Sequence, residues 1–136
     1  MASEASSGQE GPENAVATVA SGATCSNATL DGTYLFAYDG EQIQGNNQGP
    51  FATAGFQVHD GINQVHGRYS ANFNGTIFNN EHFSGTYAVN ANCTGTATFT
   101  DGTHYDLFIA PDGSMFTFVQ TNHRYVTSGT AQRVGP

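Results

Sequence analysis

The chain predicts an all-β protein: an eight-stranded antiparallel up-and-down meander closed into a β-barrel, with a two-sheet sandwich as the alternative. Three observations predict it. First, the residues are those of strands and tight turns, with 17 Gly, 10 Phe, 6 Tyr, no Trp and abundant Thr and Asn, while good helix formers are scarce. Second, from Cys25 onward, apolar-alternating runs are separated by turn signals such as Asp-Gly and Asn-Gly. Third, the connections are short, which favours antiparallel neighbours, and closing such a sheet removes both of its edges.

The elements follow in chain order. Residues 1–24 are rich in Ser, Gly, Glu, Ala and Pro and hold no periodicity beyond Val16-Ala-Thr-Val19, so they are expected as a flexible tail ahead of a single barrel domain, 25–136. The first strand, 32–39, ends at Asp39-Gly40. The second, 50–59, and third, 64–73, are joined at Asp60-Gly61. Asn74-Gly75 stops the third, and a loop as far as His82 precedes the fourth, 83–90. Asn90-Ala-Asn92 leads to the fifth, 93–100, and Asp101-Gly102 to the sixth, 103–110. Pro111-Asp-Gly113 leads to the seventh, 114–121, and Asn122-His123 to the eighth, 125–134. Asp31-Gly-Thr-Tyr and Asp101-Gly-Thr-His look like a repeat, but in a meander they open strands of opposite direction, so shared turn chemistry explains them.

Turns fix register, and register fixes faces. The turns predict pairs of Phe56 with Tyr69, Ala52 with Phe73, Tyr87 with Thr96, Thr98 with Tyr105, and Thr96 with Leu107. They also predict Leu107 with Phe118, Ile109 with Phe116, Gln120 with Tyr125, and Phe118 with Thr127. One face then collects Phe56, Tyr69, Phe73, Phe83, Tyr87, Tyr105, Leu107, Ile109, Phe116, Phe118 and Tyr125, and must be the interior. The other carries Gln57, His59, His66, Arg68, Ser70, Ser84, Thr86, His104, Asp106, Thr117 and Thr121.

The meander sorts the loops onto two ends. Loops after the second, fourth and sixth strands share an end with the start of the first, which brings Cys25 and Cys93 together, so a disulfide is expected there. That end is closed. The opposite end carries the two longest loops, 39–49 and 74–82, and is the expected mouth.

Charge excludes several functions. Charged residues are only 10% of the chain, the three basic residues are all Arg, and the net charge is −8 with a pI near 4.6. Phosphate contacts need basic side chains, so nucleic acid is not an expected partner, and the acidity argues equally against an anionic membrane surface. No apolar run approaches the ~18 residues of a membrane-spanning helix. Met1-Ala-Ser-Glu lacks a basic n-region and an apolar h-region. An even cysteine pair in a Lys-free chain nonetheless predicts a secreted or periplasmic protein, its signal peptide replaced by a start Met. Asn27-Ala-Thr29, Asn74-Gly-Thr76 and Asn92-Cys-Thr94 are sequons that matter only in a glycosylating host.

Four segments carry a resemblance. They are Cys25-Ser-Asn-Ala-Thr-Leu-Asp-Gly-Thr-Tyr34, Gly49-Pro-Phe-Ala52, Ser84-Gly-Thr-Tyr-Ala-Val-Asn-Ala-Asn-Cys-Thr-Gly95 and Asp101-Gly-Thr-His-Tyr-Asp-Leu-Phe-Ile-Ala-Pro-Asp-Gly113. Over roughly residues 25 to 134 the chain resembles a group of secreted bacterial small β-barrel proteins of uncharacterised function. Its members usually carry a longer, Pro/Gly-containing loop where this chain has Thr121-Asn-His-Arg-Tyr125. The architecture is similar to the calycin-like barrels of allene oxide cyclase, dirigent and lipocalin proteins. That similarity implies a fold and transfers no functional residue.

Candidate chemistry lies at the rim and in the lumen. The mouth gathers Asp39, Glu41, Glu81, His82, Asp101, His104, His123 and Arg124. Turn ends are ordinarily polar, but His82, His104 and His123 have the chemistry to hold a divalent metal, without any His-x-His spacing. Glu41, Glu81, His82 and His104 are the candidates for acid–base catalysis. His59 and His66 are expected as a solvated cross-strand pair on the outer face. Asp106 points outward and becomes a general base only if the register slips. No Ser-His-Asp or Cys-His arrangement and no phosphate loop is present.

The lumen gives the candidate ligand-binding set: Phe56, Tyr69, Phe73, Tyr87, Tyr105, Leu107, Phe116, Phe118, Gln120 and Tyr125. Gly67, Gly85, Gly129 and the Thr94–Thr100 ladder are expected as small inward residues that either leave a cavity or accommodate the rings. The expected function is a secreted barrel binding a small apolar or aromatic molecule, with no resident cofactor. The alternatives are a cyclase or isomerase using the same lumen, a metal-dependent enzyme using the rim histidines, and a structural module. Oligomeric state is left open.

Overall fold

A computed structural model describes residues 24–136. The expected tail, save Thr24, lies outside the described residues. Eight strands follow one another up and down: β1 (Asp31–Gln42), β2 (Gly49–Asp60), β3 (Gln64–Phe73), β4 (Thr76–Val89), β5 (Thr94–Phe99), β6 (His104–Ile109), β7 (Met115–Gln120) and β8 (Tyr125–Gly135). Every neighbour is antiparallel, and β8 pairs back onto β1, so the sheet closes in strict chain order. The sandwich is thereby excluded.

The expected loop 74–82 is absent. Asn74 and Gly75 both take positive φ, 50° and 98°, which makes a two-residue hairpin turn whose twist matches the strands. β4 therefore starts at Thr76. A bulge in β4 follows, where Asn80 sits at φ 54° and its N–H donates to Ser70 Oγ at 3.0 Å. Pairing with β5 begins only at Gly85. The connection between β1 and β2 is likewise shorter than expected, 43–48.

Loop parity decided which predicted faces hold. The turn Pro111–Ser114 has an even number of residues, and Leu107 faces Phe118 and Ile109 faces Phe116 as expected. Around Asn122-His123 the pairing moves by two residues, so Phe118 faces Gly129 rather than Thr127 and the faces survive. Three turns are odd. The Asp60 carboxylate accepts the N–H groups of Ile62, Asn63 and Gln64, closing a three-residue turn. Cys93 at φ 69° and Gly102 at φ 91° close two others.

An odd turn shifts the register by one and reverses a face. Phe56 faces Arg68 instead of Tyr69 and points outward, 38% exposed. Gln57 and His59, expected outside, are buried inside. His59 faces Val65, while His66 lies outside opposite Val58, so the two histidines are not partners. Ala97 faces both Tyr87 and Tyr105, so Gly95, Ala97 and Phe99 point inward. The expected inward Thr ladder is exposed at Thr96 and Thr98.

The end that holds the cysteines is sealed. Cys25 and Cys93 form a disulfide across 68 positions, with Cα atoms 5.1 Å apart. A short 3-10 turn, Asn27–Thr29, lies across this end. The Asn27 amide donates to Ile62 O at 2.6 Å, and its Oδ1 accepts the Val89 N–H at 2.7 Å. The Tyr87 hydroxyl donates to Leu30 O at 2.8 Å, and the Tyr34 hydroxyl donates to Gly113 O. Leu30, Tyr34, Val65 and Phe116 fill the space beneath, all essentially without exposure. Each buried hydroxyl has a carbonyl to bond, as burial demands.

Candidate ligand cavity

Above this floor the lumen is hollow. A cavity of about 270 Å³ runs from His59, Leu107 and Phe116 at the bottom to Phe51, Phe73, Phe78 and Tyr125 at the mouth. Small inward residues make the room. A Cβ on Gly129 would lie 2.3 Å from Tyr38 Cβ, so only glycine admits the Tyr38 ring beside it. Ala97 is small where Tyr87 and Tyr105 flank it.

The walls are an edge-to-face ring system. Tyr38 meets Phe118 at 5.6 Å, Phe83 meets Phe99 at 5.4 Å, and Tyr105 meets Phe118 at 5.7 Å. At the mouth Phe51 and Phe73 stack at 5.6 Å, nearly parallel. Burial raises the Tyr38, Tyr69 and Tyr105 hydroxyls above the ordinary phenol range, so all three stay protonated and able to donate. At Tyr38 the nearby Tyr105 and Thr53 hydroxyls oppose the rise without cancelling it.

The bottom of the cavity is polar. Gln57 Nε2 lies 2.9 Å from His59 Nε2. The imidazole is enclosed by Tyr87, Tyr34 and Phe116, with ring centroids at 4.6, 5.3 and 5.6 Å. Burial lowers its pKa to about 4, against a smaller opposing effect of the Asp60 carboxylate, so it is neutral at pH 7. Among the described residues, His59 Nδ1 is the one buried side-chain nitrogen or oxygen without a hydrogen-bond partner.

Of the ten expected lumen residues, eight line the cavity: Tyr69, Phe73, Tyr105, Leu107, Phe116, Phe118, Gln120 and Tyr125. Phe56 is outside. Tyr87 belongs to the floor beneath, where burial pushes its hydroxyl up to about 12. Sequence reasoning missed Gln57 and His59, whose burial follows from the odd turn beside them, and placed the first strand without assigning its residues to a face. The alternation Tyr34, Phe36, Tyr38 was the available signal for β1.

The rim candidates are dispersed. Glu41, Glu81, His82, His104 and His123 are all exposed. His104 Nδ1 lies 3.1 Å from Thr98 Oγ1 on the outer face, and Asp106 also points outward. Among the described residues no three His, Cys, Asp or Glu side chains are grouped as metal ligands. His82, His104 and His123 are therefore not brought together. Asp101 lines the mouth, its carboxylate accepting the N–H and hydroxyl of Thr103.

Residues 69–97 match the pentapeptide repeats family, in eight copies. In this barrel that segment runs through β3, β4 and β5 with antiparallel pairing, where successive side chains alternate between the two faces and each face recurs every second residue. No curated protein matches the chain. Among solved structures, a redesigned β-barrel shares 18% identity and a TM-score of 0.52, over 79% of this chain and 94% of its own. A de novo designed fluorescence-activating β-barrel shares 10% identity at a TM-score of 0.47, over 78% and 94%. The first likeness shows the fold, a small β-barrel.

Proposed function

We propose that this is a secreted binding protein that carries a small apolar or aromatic molecule in its lumen. The carrying observation is the aromatic-walled cavity of about 270 Å³, open at one end and sealed by a disulfide at the other. An apolar cavity of about 150 Å³ takes one benzene, and ligand pockets generally start at about 300 Å³, so the ligand has one or two rings. The bridge is compatible with an oxidising compartment, which supports secretion.

The chain has six Tyr and no Trp, so tyrosine emission is a clean reporter. Titration with naphthalene should quench it saturably in the wild-type protein. Ala97→Phe, which fills the middle of the lumen, should weaken that binding at least about tenfold while the barrel still folds. Absence of saturable quenching, or equal binding by the filled variant, would overturn the reading.

A further inference from the structure

We infer that the Gln57–His59 pair at the bottom of the lumen is the polar recognition element of this site, and that the ligand is a neutral ring compound carrying one hydroxyl, taken in hydroxyl end first. The inference rests on the binding reading above.

Charge comes first. Among the described residues no Lys or Arg lines the cavity, and the single carboxyl along it, Asp101, sits at the mouth. An anionic group driven to the bottom would pass that carboxylate and find no counter-charge, a costly burial. The imidazole supplies none either, because burial keeps it neutral. The group that reaches the floor is therefore uncharged.

Hydrogen bonding comes second. The neighbouring hydroxyls at this end are already committed, Tyr34 to Gly113 O and Tyr87 to Leu30 O. His59 is 2% exposed, with Nε2 engaged by Gln57 and Nδ1 unpartnered. A neutral imidazole offers one donor and one acceptor, and the orientation of the Gln57 amide sets which nitrogen carries the proton. Nδ1 is thus either an N–H or a bare lone pair. A hydroxyl is the smallest neutral group that satisfies both cases. Nδ1 is covered as it stands, so engagement requires the imidazole to turn, and that turn is directly measurable.

The shape agrees. The walls between floor and mouth are rings, which accept a ring in edge-to-face contact, while the polar pair lies only at the bottom. An apolar body with one polar tip matches that order.

The test uses 1-naphthol and naphthalene as a matched pair of probes. A purely apolar lumen prefers naphthalene, the more water-averse of the two. The wild-type protein should instead prefer 1-naphthol by about fivefold to tenfold, the worth of one hydrogen bond. Gln57→Leu and His59→Leu should each erase the preference while naphthalene still binds. The ¹⁵N imidazole resonances of His59 should shift on adding 1-naphthol and stay put with naphthalene. Should His59→Leu fail to fold, Gln57→Leu and the resonance measurement decide. Equal or tighter binding of naphthalene by the wild type, a naphthol preference that survives Gln57→Leu, or an unmoved His59 signal would overturn the inference while leaving the binding reading intact. If naphthalene itself does not bind, both fall.

Discussion

The two ends of this barrel use the same alphabet for opposite purposes. At the closed end, Tyr34 and Tyr87 point their hydroxyls at backbone carbonyls, a disulfide ties the first described residues to the β4–β5 turn, and the Asn27 amide bridges the β2–β3 turn and the end of β4. Among the described residues, His59 Nδ1 is the one buried polar side-chain atom left without a partner there. At the open end, Tyr38, Tyr69, Tyr105 and Tyr125 surround space. Aromatic content therefore does not distinguish plug from pocket. The difference lies in whether each polar tip meets a carbonyl, and in whether a small residue, Ala97 or Gly129, stands opposite a ring.

The sharpest way to break the contrast is to open the closed end. A bridge across 68 positions contributes about 4 kcal/mol in the chain-entropy account. The double variant Cys25→Ser/Cys93→Ser should lose about that much in urea unfolding, with the midpoint lowered and the slope somewhat steeper, because the unbridged unfolded chain exposes more surface. A loss below about 1 kcal/mol would mean that packing of Leu30, Tyr34 and Phe116 alone seals this end.

The next effect reads the boundary between the two ends, where His59 sits. Its folded pKa is lowered to about 4 from an ordinary 6.5. Between those values the unfolded chain binds the extra proton and the folded chain does not, so stability should fall as pH drops from 6.5 towards 4 and be complete above 6.5. The full span corresponds to about 3 kcal/mol. His66, His82, His104 and His123 remain in His59→Leu, so the difference in slope between variant and wild type isolates His59. Parallel pH profiles for the two proteins would show that the imidazole is solvated and does not belong to the floor.

Much of this architecture was legible. Strand number, meander order, closure and the meeting of Cys25 with Cys93 all follow from turn spacing, because topology depends on how many turns there are. Side-chain faces depend on the parity of each turn, and parity is set by details that a dipeptide does not display. The Asp60 carboxylate gathers three N–H groups, and Cys93 adopts a left-handed backbone. Each makes an odd turn where an even one was expected. The wall residues Tyr105 and Phe118 survived because their hairpin was even. Gln57 and His59, which give the cavity its chemistry, lay beside an odd one. The metal reading of the rim rested on residue types alone, and three-dimensional grouping was the property it lacked.

The smallest effect concerns the mouth. Phe73 lines the upper cavity and stacks on Phe51, yet it is only partly buried and stands next to an exposed hairpin turn. Phe116, by contrast, is 1% exposed at the floor and touches Tyr34, His59 and Phe118. Truncation of a buried Phe leaves a cavity that the surroundings cannot fill, at a cost of about 3–5 kcal/mol. At the mouth, solvent already reaches the ring, so little apolar area returns to water and no void is created. Phe73→Ala should therefore cost no more than about 1 kcal/mol of stability, while Phe116→Ala costs the larger amount. Affinity for naphthalene should run the other way, with Phe73→Ala weakening it and leaving the melting transition almost in place. Equal stability losses at both positions would mean that the mouth packs as tightly as the floor, and the contrast between the two ends would disappear.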